Sequence, residues 1–230
     1  MLITAEAIAL RAIAHGDRSV VLKAWTRHAG ARSYMVRVGP KATPAALQPL
    51  ARIEVVADER ADRDLFTTRE LRVRKPFLRI PFDPVRGAIA LFAQELLLRV
   101  LRAESADEEL HAAAEAAIES IDSDADVRFI PHRILLRLAV PLGFSPEPPQ
   151  PGEDHFDLEE GRFTSTTARH GHLLAPPLSV ALADLLNGRA ATLPTAQRRE
   201  LLDHLLLYYR LHLDGMGEMR SPEVLHTVLA

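Results

Sequence analysis

Three closely spaced aspartates, Asp122, Asp124 and Asp126, are the residue type that a calcium-binding loop uses. Such a loop needs glycine at its sixth position and glutamate at its twelfth, where this chain has Val127 and Arg133. The match fails, and aspartate is also common in helix caps and turns. We therefore interpret residues 122–126 as a solvated acidic turn between two helices.

A second group of metal-binding residue types lies around residue 170. His170-Gly171-His172, with Asp154 and His155 on a predicted hairpin, offers imidazole and carboxylate ligands. Their spacing matches no standard zinc pattern, and the chain has no cysteine that could supply a thiolate. The sequence therefore predicts no metal site and no cofactor.

Catalytic motifs are missing from the sequence. It contains no G-x-S-x-G elbow, no glycine-rich phosphate loop, no H-E-x-x-H and no pair of carboxylates isolated in an apolar setting. The other histidines are scattered over helical patterns, at His111, His132, His204, His212 and His226. We expect a protein that is not an enzyme. An unfamiliar hydrolase would need a pocket with perturbed carboxylates or histidines.

Basic residues near the N-terminus are the strongest remaining signal. Residues 1–80 contain 15 Lys and Arg against 8 Asp and Glu, whereas the remaining 150 residues contain 13 against 23. Up to Arg52 only Glu6 and Asp17 oppose eight basic residues, which are Arg11, Arg18, Lys23, Arg27, Arg32, Arg37, Lys41 and Arg52. Such a segment attracts polyanions, and a groove of Arg and Lys can follow the phosphates of a single strand.

Aromatic residues could add a stacking surface for bases to this basic segment. Trp25, Tyr34 and Phe66 are the aromatics available in the predicted strands. Strict alternation places Lys23 and Trp25 on one face of their strand. Each ring could equally fill the core of a small barrel, so both interpretations stay open.

Two kinds of periodicity divide the chain near residue 80. Before it, short segments with a two-residue alternation predict five strands of an OB-type β-barrel, near 2–14, 19–26, 31–38, 50–57 and 66–73. After it, a 3.6-residue period predicts helices near 84–100, 107–121, 128–142, 178–187 and 195–213, and from residue 221 onward. We therefore predict an α+β protein with a barrel domain at 1–80 and a mostly helical domain at 81–230, the latter with a β-hairpin excursion at about 144–176.

Seven short segments form a specific set when they are taken together and in order. They are Ile8-Ala9-Leu10-Arg11, Trp25-Thr26-Arg27, Gly30-Ala31-Arg32, Leu47-Gln48-Pro49-Leu50, Leu142-Gly143-Phe144, Tyr208-Tyr209-Arg210-Leu211-His212-Leu213 and Ser221-Pro222-Glu223-Val224-Leu225. Each segment alone is a weak motif, but their joint occurrence is specific and resembles the RecO family of recombination mediators. The resemblance covers nearly the whole chain.

This resemblance implies a function in DNA repair and homologous recombination. It implies an OB fold that binds and anneals single-stranded DNA, and a helical domain that docks the acidic C-terminal tail of single-strand-binding protein. RecR would be a partner in loading the recombinase RecA, an indirect partner, onto coated DNA. Carried over by position, the DNA-binding residues are Arg11, Lys23, Arg27, Arg32, Arg37 and Lys41, and the tail-binding residues are His132 and Arg133.

Two departures from the family pattern affect these expectations. Many relatives carry four cysteines of a zinc ribbon after the Leu-Gly-Phe element, where this chain keeps only the hairpin. The loop at 39–44 is less basic than is usual, which predicts weaker DNA binding.

An alternative from another functional class is a non-catalytic docking adapter whose basic barrel binds an acidic protein. The sequence has no apolar run of about 20 residues and no signal-peptide layout at its start. We accordingly expect a cytoplasmic, nucleoid-associated protein with no membrane partner.

Overall fold

Five strands near the N-terminus close into a barrel. They are β1 (Leu2–Ala14), β2 (Ser19–Thr26), β3 (Gly30–Arg37), β4 (Arg52–Asp58) and β5 (Leu65–Lys75). Their order around the barrel is β1-β2-β3-β5-β4, and every pairing is antiparallel except that of β3 with β5. The predicted α+β class with an N-terminal OB-type barrel is confirmed, and the predicted strand positions agree within about two residues at most ends.

The structure is a computed structural model that describes residues 1–39, 44–59, 63–101, 106–165 and 170–229. The chain forms two compact units, Met1–Ser123 and Asp124–Ala230. The change from strands to helices near residue 80 therefore lies inside the first unit. Two helices follow the strands there, α1 (Pro84–Val100) and α2 (Glu108–Ser123), and short 3-10 turns occupy Pro44–Leu47 and Ile80–Phe82.

Alternating side chains fill the interior of the barrel. This core includes Ala7, Ala9, Leu22, Ala24, Tyr34, Val36, Ile53, Val55, Phe66 and Leu71. Ile8, Leu10 and Trp25 lie outside this core cluster but are buried as well, and α1 and α2 contact this region. Gln94 of α1 donates a hydrogen bond to the backbone oxygen of Leu10. The Trp25 ring lies 4.9 Å from the ring of His111 in α2.

Asp122 is a buried carboxylate and not part of a solvated turn, so the sequence-based interpretation is wrong for this residue. Its oxygens accept hydrogen bonds from the backbone nitrogens of Leu78, Arg79 and Ile80, at 2.8–3.0 Å. Burial acts to raise the pKa of Asp122, but the three donors outweigh it and the pKa is lowered. The end of α2 thus fixes the chain where the barrel leads into α1.

The second unit combines four helices with a small sheet. The helices are α3 (Ile130–Ala139), α4 (Leu178–Leu186), α5 (Thr195–His212) and α6 (Ser221–Val228). The sheet consists of β6 (His155–Asp157), β7 (Arg162–Thr164) and β8 (Leu173–Leu174) in the order β7-β6-β8. The predicted hairpin is therefore present as β6 and β7. The third strand of the sheet, β8, is too short to be predicted from an alternation pattern.

Tyrosine hydroxyl groups connect the helices of the second unit to its loops. Tyr208 and Tyr209, both on α5, donate hydrogen bonds to the backbone oxygens of Phe144 and Leu135, at 2.5 and 2.7 Å. Gly161, at the turn between β6 and β7, has a φ of +71°, and a Cβ there would lie 2.8 Å from the Tyr208 hydroxyl oxygen. Glycine is therefore needed at this turn for its conformation and for space.

Candidate nucleic-acid interface

Strand register brings Arg11, Lys23 and Arg37 to one face of the sheet formed by β1, β2 and β3. Arg11 lies directly opposite Lys23, and Arg37 lies opposite Ser19. Cross-strand partners share a face, and side chains two residues apart along a strand also share it. Lys23 and Ser19 are four residues apart on β2, so all three basic side chains leave the barrel on the same side.

A β-bulge is required for this arrangement. The pairing of β1 with β2 shifts between Ala9 and Arg11, so that β1 advances by two residues where β2 advances by one. Because side chains alternate along a strand, Arg11 would otherwise share the inner side with Ala9. The bulge turns Arg11 outward beside Lys23.

Apolar side chains complete this outer face. Ile13 is 41% exposed, and its register partner Val21 lies opposite Met35.

The basic groups of this face stand apart from the carboxylates that the structure describes. Within the parts of the chain that the structure describes, no acidic oxygen lies within 4.0 Å of the charged groups of Arg11, Lys23 or Arg37. We define these three residues as the basic face. Its positive charge is available to an anionic ligand.

Arg27 lies elsewhere, at the end of β2. Its guanidinium group is 3.8 Å from a carboxylate oxygen of Glu6 and 3.8 Å from one of Glu108. Its charge is therefore partly neutralised.

Arg32 also lies apart from the basic face. It pairs with Ala24, whose side chain belongs to the barrel core, so Arg32 leaves β3 on the opposite side from Lys23. Its guanidinium group lies 4.0 Å from Glu59, which also accepts a hydrogen bond from the Tyr34 hydroxyl group. Lys41, the sixth predicted DNA-binding residue, lies outside the described residues.

An acidic row on α2 pairs with several other basic side chains of the barrel. It consists of Glu108, Glu115 and Glu119, whose closest partners are Arg27 and His28 for Glu108, Arg74 for Glu115, and Lys75 and Arg52 for Glu119. Hydrogen bonds from Lys75 and Arg52 lower the pKa of Glu119. The row neutralises one flank of the barrel, and in the described part of the chain it makes no ion pair with the basic face.

None of the three aromatic rings in the strands is available for stacking. Trp25, Tyr34 and Phe66 are 1%, 0% and 7% exposed. Burial raises the pKa of the Tyr34 hydroxyl group, with Glu59 adding to the shift. Of the two interpretations that the sequence left open, the structure supports the barrel-core role for Tyr34 and Phe66. Trp25 lies outside the barrel core and is buried against His111 of α2.

The two predicted tail-binding residues differ in accessibility. His132 is 1% exposed, and its Nε2 donates a hydrogen bond to the backbone oxygen of Arg198 at 2.9 Å. Burial lowers the pKa of His132 to about 4, so the ring is neutral at pH 7. Arg133 is partly exposed and lies 3.9 Å from Asp124. Arg137 follows one helical turn later on α3.

The histidines around residue 170 are divided between two clusters. The His155 ring lies beside its neighbour Asp154, with 2.6 Å between Nδ1 and the carboxylate oxygen. His170 and His172 instead lie beside Glu159, which no sequence pattern had connected with them.

No helix among the described residues is both long and apolar enough to cross a membrane.

Comparison with known families gives a consistent result over almost the entire chain. The family described as Recombination protein O N terminal matches residues 1–77, and the family described as Recombination protein O C terminal matches residues 81–221. The first match ends two residues after β5, and the second begins before α1.

Individual relatives match at full length. The DNA repair protein RecO of Porphyromonas gingivalis is 31% identical over 243 residues, covering 99% of both chains. The protein of the same name from Bacteroides fragilis is 32% identical over 231 residues, covering 95% of both. That from Flavobacterium psychrophilum is 28% identical over 240 residues, covering 100% of both.

Proposed function

Because the chain belongs to the RecO family of DNA repair proteins, we propose that it binds and anneals single-stranded DNA. In the same proposal it helps to load a recombinase onto DNA that single-strand-binding protein coats, and it catalyses no reaction of its own. The observation that carries the DNA-binding part is the basic face, where three cations share one side of a barrel and, among the described residues, have no carboxylate oxygen within 4.0 Å.

We propose that the basic face contacts the phosphates of the strand. Phosphate contacts are indifferent to sequence, as a protein that must act on any single strand requires. Arg27, Arg32 and Lys41 stay in the proposal as further DNA-contacting residues, although Arg27 and Arg32 lie apart from the basic face. We expect smaller contributions from Arg27 and Arg32 because Glu6, Glu108 and Glu59 lie within 4.0 Å of them.

Fluorescence anisotropy of labelled poly-dT across a salt series tests this proposal. For single strands, log K falls with log salt by about 0.7 per neutralised phosphate, so the slope should lie between about −2 for three contacts and about −4 for six. Changing Arg11, Lys23 and Arg37 together to Glu should weaken binding at least 100-fold at low salt. Changing Arg27 and Arg32 to Glu should have a clearly smaller effect.

A charge-matched control distinguishes the effect of the basic face on DNA binding from the effect of net charge. Arg128, Arg162 and Arg189 are 61–64% exposed and lie in the second unit. Changing these three to Glu alters the net charge by the same amount and should leave DNA binding within about threefold. If wild-type protein fails to bind poly-dT at low salt, the DNA-binding proposal is wrong. Binding of an acidic protein in its place would favour the docking-adapter alternative.

The partner assignments form part of the same proposal. We propose that RecR and the C-terminal tail of single-strand-binding protein bind this protein, that RecA is affected indirectly, and that it acts in the bacterial cytoplasm at the nucleoid. For the acidic tail, partly exposed Arg133 suits a charged contact. Buried His132 would support that region of α3 from within.

A further inference from the structure

Two histidines and a glutamate in the second unit lie close enough together to hold a metal ion. One ligand atom each from Glu159, His170 and His172 lies within 4.8 Å of the other two. Nδ1 of His172 is 2.9 Å from Oε1 of Glu159, and Nδ1 of His170 is 3.7 Å from the same oxygen. Tetrahedral zinc with ligands at about 2.0–2.1 Å keeps them about 3.3 Å apart, so small rotations suffice.

Asp157 supports this group from behind. Its Oδ2 lies 3.2 Å from Nε2 of His170, and its side chain is only 10% exposed. Its Oδ1 accepts hydrogen bonds from the backbone nitrogens of Glu159 and Glu160, at 2.9 and 3.1 Å. The turn after β6 therefore fixes Asp157, and Asp157 in turn orients the ring of His170.

The hydrogen bonds also assign the tautomer of His170. Its Nδ1 accepts from the backbone nitrogen of His172 at 3.3 Å, so the ring proton lies on Nε2, facing Asp157. A carboxylate that accepts the remote N–H of an imidazole is the usual outer partner of a zinc-bound histidine. A bound ion would replace the long hydrogen bond at Nδ1.

Backbone pairing places the ligands independently of any ion. The backbone oxygen of His172 accepts a hydrogen bond from Leu158 at 2.9 Å, and Leu173 pairs with Asp157 across β8 and β6. Glu159 comes from the turn that begins β7, and both histidines come from the segment that leads into β8. A metal ion bound here would connect the turn before β7 with the segment before β8, and β7 and β8 are the two edge strands of the small sheet.

We propose that Glu159, His170 and His172 bind one zinc ion, with Asp157 as the positioning residue. Two imidazoles and one carboxylate suit zinc, whereas calcium and magnesium prefer oxygen ligands throughout. Three protein ligands leave a fourth position for water or for a ligand from a partner protein. The site stabilises the sheet of β6, β7 and β8 and is independent of the proposed DNA interface.

Isothermal titration of zinc chloride into the full chain, without a histidine tag and after treatment with a chelator, tests this site. We expect one equivalent to bind, an affinity loss of at least 100-fold for His170→Ala or His172→Ala, and a loss of at least tenfold for Asp157→Asn. The Asn variant retains an oxygen for the turn. His155→Ala, which removes a nearby imidazole, should bind within twofold of wild type.

Two further measurements guard against misfolded variants. Far-UV circular dichroism should show that each variant is folded, and Glu159→Gln, of nearly equal size, should reproduce the loss. Zinc should also raise the thermal unfolding midpoint of wild type but not of His172→Ala. Absence of stoichiometric binding by wild type, or equal binding by the His170 and His172 variants, would overturn the proposal.

Discussion

Gly161 meets two separate requirements, and a pair of substitutions can separate them. Its positive φ costs any other residue roughly 1–2 kcal/mol, and its Cβ position lies 2.8 Å from a tyrosine hydroxyl oxygen that is held by its own hydrogen bond. Overpacking typically adds 1–3 kcal/mol. We predict that Gly161→Ala lowers the free energy of unfolding of the second unit by about 3 kcal/mol in urea denaturation.

Gly188 is the matched control for this substitution. Its φ is +68°, yet an added Cβ would meet no atom within 4 Å. Gly188→Ala should therefore cost only the backbone term of roughly 1–2 kcal/mol. Equal losses for the two variants would contradict the close approach to Tyr208.

His132 should make the stability of the second unit depend on pH. Its folded pKa of about 4 lies below the unfolded value of about 6.5, so the unfolded chain binds the proton more readily. Stability is therefore complete above pH 6.5 and is lost as the pH falls toward 4. Between pH 7.5 and pH 5 this one group should remove about 2 kcal/mol from the free energy of unfolding.

His132→Gln isolates this contribution, because its amide can still donate toward the backbone oxygen of Arg198 while it carries no titrating group. The variant should lose less stability than wild type between the two pH values, measured by urea denaturation at each. Several other groups titrate as well, so the comparison is the difference between wild type and variant. An unchanged pH dependence would mean that His132 becomes protonated in the folded protein.

At the scale of elements, local patterns predicted most of the fold. Alternation predicted all five barrel strands, and the helix predicted near 84–100 is α1, at whose start the Asp83 carboxylate accepts hydrogen bonds from the backbone nitrogens of Val85 and Arg86. A local sequence pattern does not reveal the β-bulge between Ala9 and Arg11, because the bulge depends on how β1 pairs with β2. The face of the sheet on which Arg11 lies could therefore not be predicted from the sequence.

The candidate sites depended on contacts between distant residues. The basic composition identified the barrel as the positively charged part of the chain. Which of its cations are neutralised depends on the acidic row of α2, which lies more than 30 residues along the chain from its partners. The spacing of Glu159 from His170 and His172 fits no familiar motif, and strand pairing alone brings them together. Long-range contacts of this kind leave no local signature.

At the scale of the whole molecule, the first compact unit extends well beyond the predicted barrel domain. Ile8, Leu10 and Trp25 are buried beside α1 and α2, and Arg52 is 6% exposed next to Glu119. A fragment of residues 1–80 would expose these apolar groups and leave Arg52 without its partner. The boundary near residue 80, which stays a prediction, and the unit ending at Ser123 thus imply different minimal fragments.

We predict that residues 1–123 unfold cooperatively and bind poly-dT within about threefold of the full chain, whereas residues 1–80 do not fold. Circular dichroism, urea denaturation and anisotropy on both fragments check this. A folded 1–80 fragment of equal stability would instead make the barrel a self-sufficient domain.

The burial of Trp25, Tyr34 and Phe66 has a consequence for what a bound strand can do. If the basic face binds a strand as proposed, these three rings cannot insert between its bases, and Arg11, Lys23 and Arg37 would hold the strand by its phosphates. The Watson–Crick edges of the bases would then stay free, and a complementary strand could pair without displacing these side chains. Such a surface would be suited to passing strands on rather than storing them.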